Sequence, residues 1–246
     1  MDTLGLIGFG RFGQFILPYL TPHFNIKIHD IHEHHSAVNA AFVDLKEIAS
    51  CNKIVLAVPL SELQDTCTKL AKYVAPGTLI TDVTSVKSIP MEMMLNTFPD
   101  TVDIVGLHPL FGPDSARNGI HGLTTVLCDG RGDMSNEVER FLNKSLGLNV
   151  HRMTADEHDR QMGIVQGLTH IMARAIRAIQ RPNEKLWTLS FKHLIAVSDV
   201  LRDDTDALFL TIQRGNPYTT IARKSLLTEL KHLEDWIESG NSESYK

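Results

Sequence analysis

Cysteine is scarce in this 246-residue chain. Only Cys51, Cys67 and Cys128 occur, an odd number spaced too widely for a thiol metal motif, so neither a disulfide framework nor a zinc ribbon is expected, and a reducing compartment fits. No apolar run approaches the eighteen or so residues that a membrane span requires, which argues against a transmembrane protein. There is no basic run either, and the formal net charge is −5, which argues against nucleic acid as a partner. The first apolar strand begins three residues from Met1, leaving no room for a leader, so the expected location is cytoplasmic. Internal repeats are absent, and only 239–246 reads as a frayed tail.

What is present begins at the N-terminus. Leu4-Gly-Leu-Ile runs into Gly8-Phe9-Gly10-Arg11-Phe12-Gly13 and then into Gln14-Phe15-Ile16-Leu17, a strand, a tight turn and a helix. In a dinucleotide-binding unit the first glycine makes the turn, the second lets the backbone approach a pyrophosphate, and the third brings helix and strand together. Unpaired N–H groups at the helix start then face the anion. Glycines also mark ordinary turns, so context matters. Phe24-Asn-Ile-Lys-Ile-His-Asp30 supplies it: a second alternating strand ends in an acid about twenty residues on, where a ribose is expected. Asp30 would repel a 2′-phosphate, and Ile31, His32 and Glu33 follow it rather than an arginine, so NAD is favoured over NADP.

Strands and helices continue to alternate. Lys53 to Val58 is a continuous apolar strand ending at Pro59, and Ser61 to Tyr73 has helical spacing. Further strands are expected at Thr78 to Asp82, Val102 to His108, Leu123 to Cys128 and Leu148 to His151, with a helix over Met134 to Leu146. This half reads as an α/β, Rossmann-type, doubly wound parallel sheet. Near Thr154 the character changes. Thr154-Ala-Asp-Glu157 has capping-box form, a long helix runs to about Gln180, and Arg181-Pro182-Asn183, Asp203-Asp204 and Gly215-Asn216-Pro217 divide the rest into three more helical stretches. The expected domains are 1–153, for the dinucleotide, and 154–246, all helical, for substrate and dimerisation. The long helix carries Val165, Leu168, Met172, Ile176 and Ile179 on one face and Ile164, Ile171, Ala175 and Ala178 on a neighbouring one, so a homodimer through these helices is expected.

Ligands of open parallel sheets bind beyond the carboxyl ends of the strands. Those ends carry Asp82-Val-Thr-Ser85-Val-Lys87 and His108-Pro109-Leu110-Phe111-Gly112-Pro113, while Val58 and Pro59 offer an apolar contact to the cofactor. His108 ends an apolar strand and is braced by prolines, so its imidazole suits general base catalysis; a merely structural histidine bonded to backbone is the competing reading. Ser85 and Thr84 could instead cap the helix that Val86-Lys87 opens, and from the residues alone capping is favoured. Gln166, His170 and Arg174 form one polar stripe at i, i+4 and i+8, satisfied either by neighbouring helices or by an anionic ligand in a cleft. His29, His32, His34 and His35 lack a ligand spacing and read as a solvated loop, with no metal expected.

Taken together, Gly8-Phe-Gly-Arg-Phe-Gly-Gln14, Asp82-Val-Thr-Ser-Val-Lys87, Gly106-Leu-His-Pro-Leu-Phe-Gly-Pro-Asp114, His158 and Gln166-Gly-Leu-Thr-His170 resemble, in order and spacing, the prephenate and arogenate dehydrogenases of tyrosine biosynthesis. The resemblance spans nearly the whole chain. It implies an NAD-linked oxidative decarboxylation of prephenate to 4-hydroxyphenylpyruvate, with arogenate to tyrosine as the alternative. It also implies catalytic roles for His108 and Ser85, and substrate contacts for Gln166, Thr169, His170 and Lys87. The family's carboxylate-binding arginine aligns with none of Arg174, Arg202 and Arg214 securely, and no fused mutase or regulatory segment is recognised. A nucleotide-binding sensor without turnover, or another reductase with a helical second domain, are the readings from other classes.

Overall fold

The structure is a computed structural model that describes residues 2–32 and 40–240. Most of the tail expected at 239–246 therefore lies outside the described residues. The chain divides into two compact units, Met1–His158 and Asp159–Lys246. In the first, eight strands form one sheet: β1 (Thr3–Ile7), β2 (Asn25–His29), β3 (Ala41–Phe42), β4 (Lys53–Leu56), β5 (Leu79–Asp82), β6 (Asp103–Pro109), β7 (Thr124–Arg131) and β8 (Asn149–Arg152), in the order β3-β2-β1-β4-β5-β6-β7-β8. Every neighbouring pair is parallel except β6 and β7, which run antiparallel. The expected parallel sheet is therefore mostly, not wholly, parallel. A parallel return needs a crossover helix, whereas residues 110–123 contain none, so the chain turns back along its own edge.

The helices of this unit are α1 (Arg11–Leu20), α2 (Leu45–Ile48), α3 (Leu60–Leu70), α4 (Ser88–Thr97) and α5 (Ser135–Lys144). Strand residues alternate between two cores, as the pleat dictates. Ile54, Ile80 and Ile104 meet Leu63 of α3 and Met91 and Met94 of α4 on one face. On the other, Leu79, Val105 and Leu107 meet Val138 and Leu142 of α5, while Leu6 and Ile28 meet Ile16 and Leu20 of α1. This wholly or nearly wholly buried apolar framework holds the strand ends, and hence the polar residues on them, in fixed positions. No helix among the described residues is long and apolar enough to cross a membrane.

α6 (Ala155–Ala178) opens with the capping box read from the sequence: Glu157 N–H donates to Thr154 Oγ1 at 3.2 Å, and Thr154 N–H to Glu157 Oε2 at 2.9 Å. The second unit adds α7 (Leu189–Val200), α8 (Asp206–Gly215) and α9 (Pro217–Glu238), each begun by a side chain that accepts from a first-turn N–H: Thr188, Thr205 and Asn216. Two glycines of α6 admit the start of α9. A Cβ on Gly163 would lie 2.6 Å from Tyr218 Cβ, and one on Gly167 2.8 Å from Thr219 Cγ2.

Candidate active site

The glycine loop joins β1 to α1. Gly8 sits at φ +96°, and a Cβ there would lie 2.4 Å from the Ala57 carbonyl oxygen; a Cβ on Gly13 would lie 2.3 Å from the Gly8 carbonyl. Both glycines are thus demanded by the protein's own backbone. Gly10 is not: an added Cβ would meet nothing within 4 Å. It stands at the N-terminus of α1, where no side chain caps the helix and the first turn holds no acid, so the helix start is open to an anion. Asp30 Oδ2 accepts from the Phe9 N–H at 2.5 Å and Oδ1 from the His32 N–H at 2.7 Å, which aims the carboxylate beside the loop. These residues fit a dinucleotide.

Other loop residues have definite neighbours. Phe9 is buried edge-on against Phe42, Gln14 Nε2 donates to the Phe9 carbonyl, and Arg11 pairs with Asp114 at 2.6 Å. Val58 lies two residues beyond β4 against Gly8, and Pro59 is the N-cap residue of α3. Phe12 lies half-buried in the first turn of α1. His34 and His35 fall outside the described residues, so the histidine loop is not described as a whole.

Beyond β5 the sequence expectation needs revision at two places. Lys87, expected beside a substrate, is fully buried, and its ammonium donates to Asp82 Oδ2 at 2.5 Å and to the Leu107 carbonyl at 2.8 Å. The capping expected of Thr84 or Ser85 does not occur. α4 begins at Ser88 without a side-chain cap, and the Thr84 hydroxyl instead donates into the Asp82 carboxylate or the Val86 carbonyl. Ser85 is half-buried, and its hydroxyl makes no hydrogen bond among the described residues. It is thereby left available to a ligand.

His108 is 3% exposed on β6, immediately after the carbonyl that Lys87 grips. Its Nδ1 lies 2.7 Å from Nε2 of His158, itself fully buried in the first turn of α6, with the rings at 75°. At that distance one nitrogen must donate and the other accept. If His108 donates, its Nε2 keeps a lone pair and can act as a base. Sequence reasoning gave His158 no role because the partners are fifty residues apart. The only local signal was the capping box, which places residue 158 in a helix's first turn.

In the second unit, the polar stripe of α6 is largely satisfied by neighbouring chain. Arg174 pairs with Asp206 at 2.7 Å and lies over the Phe209 ring, and His170 Nδ1 is 3.4 Å from Asp204 Oδ2. Thr169 donates back to the Val165 carbonyl, while Gln166 is half-buried with no hydrogen bond among the described residues. Arg202 is engaged by Asp199; Arg214 is exposed and has no partner among the described residues.

Burial first, and the nearby Arg174 cation second, push the His170 imidazole down to about 4. The unfolded chain, with an ordinary value near 6.5, then binds more protons than the folded one between these limits. Stability from this residue is complete above about pH 6.5 and is lost as pH falls toward 4. Denaturant unfolding at pH 7 and pH 5 should show a loss for the wild type that His170→Asn reduces; an equal loss in both would exclude His170 as its source.

A Rossmann-type sheet with an open glycine-loop helix start defines a nucleotide-binding fold, and the buried histidine pair at a strand end is its candidate catalytic feature. A family model described as prephenate dehydrogenase, nucleotide-binding domain, matches residues 28–151. The chain is 26% identical over 201 residues to a probable arogenate/prephenate dehydrogenase of Methanocaldococcus jannaschii, covering 78% of this chain and 45% of that protein. It is 26% identical to arogenate dehydrogenase 2, chloroplastic, of Arabidopsis thaliana, covering 98% of this chain and 70% of the relative. It thus spans less than half the length of the archaeal relative. The fold is similar to the crystal structure of Aquifex aeolicus prephenate dehydrogenase in complex with hydroxyphenyl propionate and NAD+, with TM-score 0.76 at 17% identity over 98% of this chain and 92% of that one. The chain belongs to the prephenate/arogenate dehydrogenase family.

Proposed function

We propose that the protein is a prephenate dehydrogenase that uses NAD+ for the oxidative decarboxylation of prephenate to 4-hydroxyphenylpyruvate. The observation that carries this reading is the buried His108–His158 contact of 2.7 Å at the end of β6. With His158 Nε2 accepting from His108 Nδ1–H, the His108 Nε2 lone pair draws the proton of the ring hydroxyl, and the free Ser85 hydroxyl assists. NAD+, when bound, supplies the acceptor for the hydride that leaves the hydroxyl-bearing carbon, and the quaternary carbon releases carbon dioxide as the ring becomes aromatic. Asp30 favours NAD+ over NADP+, because a carboxylate oriented beside the loop repels a 2′-phosphate. Gln166 and His170 are the residues of α6 assigned to the substrate, and Arg214, which has no partner among the described residues, has the chemistry to bind a carboxylate.

Arogenate, which differs in an ammonium group on its side chain, is the second reading, favoured by the likeness to the plant arogenate dehydrogenases. It calls for an acid near that ammonium. Two candidates are already engaged: Asp114 by Arg11, and Glu157 in the capping box. Turnover measured with both substrates and both cofactors should give a kcat/KM at least about tenfold higher for prephenate with NAD+, that is about 1.4 kcal/mol. The reverse ratio assigns arogenate, and inactivity with both overturns the reading. The same reading includes a homodimer through the helical unit, supported by exposed Ile164 and Val165 on α6 and Ile221 on α9; light scattering at micromolar concentration should report twice the chain mass.

A further inference from the structure

Within the first unit, one face of the sheet is not fully covered. α3 and α4 lie on the opposite face, and α1 and α5 flank rather than cover β4 and β5. The gap between α1 and α5 is a groove of about 530 Å³, a size common among small-molecule sites. Val55, Thr81 and Leu107 are on its floor, and Phe12 of α1 and Phe141 of α5 are among its walls. It shares Phe12 with the glycine loop but includes none of Ser85, His108, His158 and Asp30.

One polar feature sets it apart from an empty apolar gap. At the rim, Arg140 and Lys144 stand one turn apart on α5, exposed, and neither has an ion-pair partner among the described residues. Like charges at this spacing oppose the helix unless an anion lies between them. The third cation of the groove, Lys53, lies between Asp2 at 2.7 Å and Glu137 at 3.4 Å, so three cations face two carboxylates and the net positive charge of one lies toward Arg140 and Lys144.

We propose that this groove binds a small amphipathic monocarboxylate whose ring-sized apolar body lies over Val55 and Leu107, with its carboxylate at Arg140 and Lys144. The probe is 4-phenylbutyrate, with 4-phenylbutanol as its uncharged counterpart, titrated calorimetrically into the full chain. One-to-one binding of the acid is expected. The double variant Arg140→Gln, Lys144→Gln, confined to exposed side chains, should weaken the acid at least tenfold and leave the alcohol unchanged. Val55→Phe, which fills the floor, should abolish both while prephenate turnover persists. Absence of binding at millimolar probe, binding unchanged in both the rim and the floor variants, or competition by prephenate would overturn the proposal. So would a change of oligomeric mass in Val55→Phe, which would mean that a second copy fills the groove.

Discussion

His108→Asn is expected to lower kcat by about 10²- to 10⁴-fold while the dissociation constant for NAD+ stays within about twofold, the range that loss of a positioned general base spans. Asparagine keeps a hydrogen-bonding side chain on β6 but offers no nitrogen that can take a proton near neutrality. The bonds that shape the glycine loop and orient Asp30 do not involve His108, so the cofactor site is untouched. Because His108 is 3% exposed and bonded to His158, the substitution also leaves the His158 nitrogen to a poorer partner; thermal unfolding measured alongside separates folding from chemistry. Rapid-reaction turnover and calorimetric NAD+ titration on the same preparation check the result. Equal loss of both would make His108 structural, and retained turnover would require a different base.

The second large effect falls on Lys87→Met, expected to destabilise the fold by about 3–5 kcal/mol, a large share of the roughly 5–15 kcal/mol typical of a folded domain. Lys87 and Asp82 have no solvent exposure, and Thr84 donates to the same carboxylate oxygen that the ammonium holds, while the other oxygen, Oδ1, has no hydrogen-bond partner among the described residues. Removing the cation leaves a buried carboxylate with two Thr84 contacts as compensation. The double variant Lys87→Met, Asp82→Leu should recover much of the loss, since a buried pair is worth far less against apolar replacements than against a stranded charge. Urea unfolding gives both numbers. A loss below about 1 kcal/mol in the single variant would show that Asp82 is not charged there. Activity should fall as well, because the ammonium ties the end of β5 to the carbonyl of Leu107, the residue before His108.

Several features were open to reading from residues alone because their causes are local. The capping box at Thr154 and the helix starts at Asn216 and after Asp203-Asp204 each depend on bonds spanning four residues or fewer, and the glycine loop shows itself by the fixed short spacing of its glycines. Runs such as Leu4 to Ile7 reveal a doubly covered strand by composition. By contrast β3 and α2, of two and four residues, are too short for periodicity to reveal. The reversal at β7 is not legible in the sequence, because an apolar strand reads alike in either direction.

The sequence by itself determined the alternation of strand and helix, the dinucleotide loop and the family, since these rest on composition, period and fixed short spacing. Only the tertiary structure decided what the charged and polar residues do. It turned Lys87 from a ligand contact into a buried strut, engaged Arg174 with Asp206, and brought His158 to His108. Such pairings form between residues far apart along the chain, and what selects them is the high free energy of an unpaired buried charge or hydrogen-bonding group, which no local pattern encodes.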